Sequence, residues 1–148
     1  MSNRLDKLLG LPWPKRRLLI EAALALGAAR LTLATISFRR IAARLGRAGE
    51  ESAATIPPGH DRIAEQVGWA VETMARHLPG ENRCLAQALS AWRMLGRRGI
   101  AGTVYFGVTR NPDKPFDAHA WLRCGHRIVT GGGGQEKFRV ISCFSRRM

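Results

Sequence analysis

The sequence predicts an α+β protein in which helices precede a small antiparallel sheet. The N-terminal segment is rich in Ala and Leu, and two later segments before Gly99 carry apolar residues at helical spacing. After Gly99 the pattern changes to short β-branched and aromatic runs, TVYFGV, DAHAWLR, HRIVT and KFRVISCF, separated by turn residues. Helices followed by about four strands are typical of the α+β class.

The first predicted helix begins near Pro14, because proline is favoured in the first helical turn. The segment 18–38 that follows contains only two charged residues, Glu21 and Arg30, so a membrane-spanning helix is one interpretation. The two charges favour the other interpretation, a buried helix of a soluble protein. β-branched residues at 32–37 predict a break, and SFRRIAARLG predicts a second, short helix capped by its serine.

Three regions are expected along the chain. Residues 1–46 form an N-terminal helical region, and residues 61–148 form the core. Residues 47–60, RAGEESAATIPPGH, are small and polar and are closed by Pro-Pro-Gly, which is typical of a linker.

The core is expected to open with a helix over about 61–77. A second core helix follows Asn82, which is a favourable N-cap residue, and Gly99 closes it. Between the strands we expect a loop at 110–115, RNPDKP, and a tight turn at Gly125.

The charge of the chain limits its partners without naming one. The sequence has 24 Lys and Arg against 11 Asp and Glu, a formal net charge of +13. Such a protein attracts anionic partners such as nucleic acid, anionic lipid or an acidic peptide. The arginines are scattered as pairs, and no nucleic-acid-binding motif accompanies them, so a nucleic-acid-binding protein rests on charge alone.

Three cysteines, an odd number without a CxxC pair, argue against both a disulfide framework and a structural zinc site. The first residues show no secretory signal, and a reducing cytoplasm is therefore the expected compartment. No cofactor is expected either. The glycine run 131–134 lacks the Lys-Ser/Thr pair of a phosphate-binding loop, and a strand pattern follows it instead of a helix.

Cys84 lies at the second position of the second core helix. A helix N-terminus lowers the pKa of a cysteine, and its unpaired N–H groups can hold an oxyanion. Cys84 is therefore a candidate nucleophile. A small apolar residue packed under the first helical turn is the alternative that this helix alone leaves open.

His119 is the candidate partner for such a nucleophile. It lies in a strand pattern, Asp-Ala-His-Ala-Trp, and alternation places Asp117, His119 and Trp121 on one face of the strand. The small neighbours leave the ring accessible, and the tryptophan can exclude water. By itself a strand histidine is more often a half-buried structural residue. Together with a cysteine at a helix start it suggests a Cys–His pair of the kind that papain-like hydrolases use.

These motifs resemble a known family. The pattern C-L-x-x-A-L with L-x-R-R-G and then A-H-A-W-L is similar to the transglutaminase-like leader peptidases of lasso-peptide biosynthesis, the B2 type. W-P-K-R-R-L-L-I-E-A and S-F-R-R-I-A-A-R-L-G resemble the opening of that family. The resemblance implies a transglutaminase- or papain-like core whose nucleophile helix packs on the sheet, with Cys84 as nucleophile and His119 as general base.

The third member of the catalytic set departs from the family pattern. The family has an acid about a dozen residues beyond the histidine, where this chain has Thr130 and then glycine. Asp117, Glu136, Thr130 itself or a backbone carbonyl are the candidates to orient the imidazole instead. An orienting group fixes the tautomer of the ring, so its replacement is expected to reduce the rate without abolishing it.

The resemblance also implies a function and partners. Such an enzyme removes the leader from a ribosomally made precursor peptide, a small leader-recognition protein of the B1 type delivers that precursor, and a lasso cyclase closes the freed core. The alternative is a catalytically impaired peptide-binding or scaffold module of the same maturation complex. The N-terminal helices can dock a partner, rest peripherally on a membrane or complete the core.

Overall fold

The computed structural model describes residues 7, 9–77, 83–111, 114–132 and 135–145. For residues 38, 83, 109–111, 114–117 and 136 it describes the backbone alone. The helices are α1 (Trp13–Thr35), α2 (Phe38–Arg44), α3 (His60–Ala75) and α4 (Arg83–Arg97). The strands are β1 (Arg47–Ala48), β2 (Thr103–Asn111), β3 (Lys114–Cys124), β4 (Arg127–Thr130) and β5 (Arg139–Ser145), and a 3-10 turn spans Gln135–Lys137.

The five strands form one antiparallel sheet in the order β1-β5-β2-β3-β4. The α+β class is thus confirmed, with the helices packed on the sheet. Most of the predicted loop at 110–115 is strand, because β2 continues to Asn111 and β3 begins at Lys114; Pro112 and Asp113 lie outside the described residues. The predicted tight turn is present, with Gly125 at φ 59° between β3 and β4.

Helix α1 begins and ends close to where the sequence predicts. Proline occupies its first turn, and the chain turns extended at Ile36, within the predicted break. Thr32 and Thr35 each donate a hydroxyl hydrogen bond to the carbonyl four residues earlier, which satisfies both hydroxyls within the helix. Ser37 is the N-cap residue of α2 as predicted, but its side chain makes no capping hydrogen bond.

Helix α1 is part of the helical core. It packs against α3 and α4 and buries four residues at spacings of three and four, Leu19, Ala22, Leu26 and Ala29. By length and composition α1 could cross a membrane, a property that core helices and signal sequences share.

Helix α4 lies on the sheet and joins it to the other helices. Its buried residues, among them Ala88, Met94 and Leu95, belong to one core with Val104, Leu122 and Val129 of the strands. The opposite face of β3 is covered by aromatic side chains that do not belong to that core. There Trp121 and Tyr105 stack on each other, with ring centroids 5.5 Å apart.

The segment 47–60 is attached to the sheet. β1 pairs with the end of β5, and Glu51 accepts a hydrogen bond from the hydroxyl of Tyr105 at 2.6 Å. Ser52 donates its backbone N–H to the hydroxyl of Thr103 at 2.8 Å. About four strands were expected, and the fifth is β1, which with two residues is too short to show alternation. The division into three regions stays a prediction.

Candidate active site

Cys84 is the second residue of α4, and its side chain is half-buried against the helical core. Asn82, the predicted cap, lies outside the described residues. In any α-helix the first N–H groups have no intrahelical partner, so donors for a developing oxyanion surround a side chain at this position. The predicted placement of the cysteine at the helix start is confirmed.

His119 lies in β3 opposite Gly107 of β2. Its Nε2 is 2.7 Å from the carbonyl oxygen of Gly131. Because a carbonyl can only accept, Nε2 carries the proton of the neutral ring and Nδ1 keeps the lone pair. The backbone of Gly131 therefore fixes the tautomer in which Nδ1 is the base.

Two aromatic side chains pack against the imidazole. The ring of His119 stacks on Trp121, with centroids 5.7 Å apart, and meets Phe138 at 5.0 Å. The glycine at position 107 is required for this packing. A Cβ there would lie 2.8 Å from the Cβ of Phe138 and 2.9 Å from the ring of Trp121.

Gly131 is required where it stands for two reasons. Its φ is +75°, a conformation that only glycine adopts without strain. A Cβ there would lie 2.6 Å from the carbonyl oxygen of Ala120 and 2.8 Å from the Cβ of Trp121. The glycine lets the chain leave β4 close to β3, and this approach brings its carbonyl to His119.

The structure describes one of the three side chains that were candidates to orient the imidazole. Thr130 is fully buried, and its hydroxyl has no hydrogen-bond partner among the described residues, so it does not hold the ring. Asp117 pairs with Thr109 in the sheet, and Glu136 lies in the 3-10 turn, but both side chains lie outside the described part of the chain. Of the candidates that the structure describes, the backbone carbonyl of Gly131 contacts the ring.

Cys84 and His119 are not in hydrogen-bond contact in this structure, although both side chains are described. Cys84 packs on the helical side of the sheet, as do Ala120 and Leu122, which alternate with His119 along β3. The imidazole therefore starts on the other face and reaches Gly131 near the edge strand β4. For the two residues to act as a pair, their side chains would have to come closer than they lie here.

A cavity of about 310 Å³ lies beside the glycine loop whose carbonyl contacts the His119 ring. Gly131 and Gly132 form one wall, and Gln87, one turn after Cys84, forms another. The cavity thus lies between the first turns of the cysteine helix and the glycine loop, and neither Cys84 nor His119 is among its lining residues.

Two residues of α3 that sequence reasoning missed complete this cavity. Glu72 and Arg76 line it together with Ala75. Burial raises the pKa of the Glu72 carboxyl, and Arg76 opposes this with a weaker effect. The sequence carries one signal for these two residues, an acid and an arginine four positions apart on a helix, where they lie on the same face. The helix is interpreted only as part of the core, and nothing in the sequence connects it to the glycine loop.

The other cysteines are in less reactive surroundings. Cys124 is fully buried, and desolvation raises the pKa of its thiol. Desolvation also raises the pKa of the Cys143 thiol, with the Glu51 carboxylate adding to the effect. A raised pKa reduces the thiolate fraction, so neither of these two thiols is favoured as a nucleophile. Within the described ranges no three metal-ligating side chains come together.

The chain matches the family model described as the transglutaminase-like superfamily over residues 23–143, which is most of its length. The chain belongs to the transglutaminase-like superfamily. The match begins in α1, ends in β5 and includes both Cys84 and His119. No curated protein and no solved structure matches the chain significantly. The superfamily includes cysteine peptidases, and its fold commonly supports cysteine-dependent hydrolases and transferases.

Proposed function

We propose that this protein is a cysteine peptidase that removes the leader from a ribosomally made lasso precursor before ring closure. The hydrogen bond between His119 and the Gly131 carbonyl carries the proposal, because it supplies the orienting group at the position where the family's acid is missing. Membership of the superfamily and the helix-start position of Cys84 support it.

The reaction would use the two residues as an acid–base and nucleophile pair. Nδ1 of His119 accepts the thiol proton of Cys84, and the sulfur adds to the scissile carbonyl carbon. N–H groups of the first turn of α4 stabilise the resulting oxyanion. When the C–N bond breaks, the imidazolium returns the proton to the leaving amine and a thioester remains. Water, deprotonated by the same imidazole, adds to this thioester and releases the carboxylate and the thiol.

The Gly131 carbonyl would act in this cycle as a positioning group. It accepts the Nε2 hydrogen bond both before and after Nδ1 gains the proton, so the ring keeps its orientation. A neutral carbonyl stabilises the imidazolium less than a carboxylate does, because it places no negative charge beside the cation. The proposed enzyme is therefore slower than one with an acid, but active.

The partners of the proposed reaction follow from the resemblance. They are the leader of the precursor, a small leader-recognition protein and a lasso cyclase, all in the cytoplasm. The surplus of positive charge on this chain is compatible with an acidic leader or an acidic recognition partner.

A second candidate is a peptide-binding module of the same maturation complex without catalytic activity. The observation that favours it is the missing hydrogen bond between Cys84 and His119, together with the absence of an acid at the position where the family has one. Both candidates bind the precursor, and they differ in whether its bonds are broken.

The test uses the precursor peptide encoded beside this protein's gene, with the small recognition protein added. Wild-type protein, Cys84→Ala, His119→Ala and the matched control Cys143→Ala are each mixed with them, and peptide masses are followed in time. We expect wild type and Cys143→Ala to cut one bond with the addition of one water, while the other two variants leave the peptide intact. Normal circular dichroism of the variants confirms that they fold.

Cleavage by Cys84→Ala at a near wild-type rate would show that another residue is the nucleophile. Binding of the precursor without cleavage, by wild type as well as by the variants, would establish the binding module. A product joined to an amine in place of water would indicate amide transfer, which the transglutaminase-like fold also supports.

A further inference from the structure

A groove of about 790 Å³ lies between α1, α3 and the end of α4. Its floor is apolar, with Leu18, Ile63 and Val67 among its lining residues. Three large apolar side chains at its rim remain exposed to solvent by more than half of their area: Trp13 at 65%, Ile20 at 54% and Leu24 at 71%. Exposed apolar groups gathered around a concave surface are typical of a binding site.

The same groove is positively charged. Three arginines and one glutamate line it, Arg17, Arg97, Arg98 and Glu21. Glu21 is held by Arg98 through two hydrogen bonds of 3.0 and 2.5 Å, and Arg97 lies 3.6 Å from it. The carboxylate of Glu21 is thus paired with arginine, and the remaining arginine charge gives the rim of the groove a net positive charge. Aromatic residues and arginine are the residue types that dominate the energetics of protein interfaces.

The groove is separate from the candidate active site. Arg97 ends α4 and Cys84 begins it, so the rise of an α-helix puts about 20 Å between them. An extended peptide needs at least about six residues to cover this distance. One substrate chain can therefore occupy both places, provided that its two recognised parts are separated by at least that length.

We propose that this groove is an exosite for an acidic segment of the polypeptide substrate. The segment carries carboxylates together with aliphatic or aromatic side chains. It lies at least about six residues from the scissile bond. The substrate role rests on the proposed peptidase function. A concave, arginine-rimmed site fits a peptide better than a bilayer, because a flat lipid surface cannot reach the floor formed by α3. Charge complementarity selects an acidic segment over a basic one.

The first measurement is binding without turnover, with Cys84→Ala as the background. The probes are a labelled synthetic peptide of leucine, phenylalanine and glutamate, its counterpart with lysine in place of glutamate, and vesicles with an anionic lipid fraction. Leu24→Ser and Arg17→Glu alter the groove. Leu31→Ser and Arg39→Glu are the matched controls. Both residues are exposed, and neither lines the groove. Leu31 lies on α1, as Leu24 and Arg17 do.

We expect the acidic peptide to bind, the lysine peptide not to bind, and each groove variant to weaken binding about tenfold while the controls do not. Equal losses in Arg39→Glu and Arg17→Glu would mean that net charge alone attracts the peptide, and the proposal would fail. Binding to vesicles but not to the acidic peptide would overturn it in favour of a membrane surface.

The second measurement is cleavage of the precursor by the same variants with Cys84 restored. The groove variants are expected to raise KM about tenfold and to leave kcat unchanged, because the contacts lie far from the reacting atoms. An unchanged KM would show that the groove does not serve this substrate. If wild type cleaves nothing, the proposed function fails, while the binding measurement still decides whether the groove takes an acidic peptide.

Discussion

The imidazole of His119 is oriented by main chain, so the proposed activity depends on the backbone of one glycine. A carboxylate side chain can be exchanged without moving the backbone, but a carbonyl keeps its place only while the φ and ψ of its residue are kept. The contact between His119 and Gly131 at 2.7 Å therefore depends on the conformation with φ +75°. Backbone strain and activity should change together at this position.

The variant Gly131→Ala tests this dependence. A Cβ would meet the carbonyl oxygen of Ala120 at 2.6 Å and would strain the left-handed backbone, so we expect a loss of about 2 kcal/mol in the free energy of unfolding. Cleavage should fall further than stability explains, because the carbonyl would move away from His119. Chemical denaturation and the cleavage rate at a temperature where the variant is folded measure the two effects.

Gly132→Ala is the matched control for this prediction. Its Cβ would meet only the side chain of Ile128, at 3.3 Å, and position 132 is not among the glycines with positive φ. We expect little change in either measurement. A Gly131→Ala protein that folds and cleaves like wild type would show that the carbonyl does not position the ring.

Helix α3 and strand β4 pack closely against each other, and a glycine of α3 lies at the point of contact. A Cβ on Gly68 would lie 2.5 Å from the carbonyl oxygen of Val129 and 3.2 Å from its Cγ1. β4 leads directly to Gly131, so the contact sets the distance between α3, with Glu72, and the loop that holds His119. This packing therefore fixes the width of the cavity at the candidate site.

Two glycine-to-alanine variants in helices should consequently have opposite effects. Alanine is favoured over glycine within a helix by about 1 kcal/mol, so Gly27→Ala in α1, with nothing within 4 Å of the new Cβ, should raise the melting temperature. Gly68→Ala should lower it despite the same gain in propensity, because the new atom meets backbone that cannot yield. Calorimetry of both variants measures the sign, and stabilisation by Gly68→Ala would contradict the close packing of α3 and β4.

The elements that the sequence predicted are those whose determinants are local. Pro14, the apolar periodicity of α3 and the alternation around His119 each lie within a few residues, and the helices and strands appear where they indicated. The stacking of His119 and Trp121 confirms that they share a face. What the sequence left open depends on pairs distant in the chain. It offered several groups to orient His119, and the structure selects the Gly131 carbonyl, twelve residues away. It gave no sign that Glu72, on another helix, lines a cavity with the glycine loop.

At the scale of the whole molecule, the N-terminal helix is joined to the core by both apolar and charged contacts. Leu19 and Leu26 are buried against α3 and α4 with 4% and 2% of their area exposed. The Arg98 hydrogen bond lowers the pKa of the Glu21 carboxyl, so this ion pair between α1 and the end of α4 is formed at neutral pH and is lost as the carboxyl is protonated in acid. The family match, which starts within α1, extends over the same contacts.

Removing residues 1–46 is therefore expected to unfold the remainder of the chain. Burial of Leu19 and Leu26 contributes about 1.5–3 kcal/mol each, and the apolar surfaces of α3 and α4 beneath them would also be exposed. This loss is comparable to the whole stability of a typical domain, about 5–15 kcal/mol. Circular dichroism of the fragment 47–148 should show no cooperative melt, and addition of a peptide spanning residues 11–46 should restore one. A fragment that melts cooperatively near the temperature of the full chain would establish residues 47–148 as an independent domain, with α1 as an appendage to it.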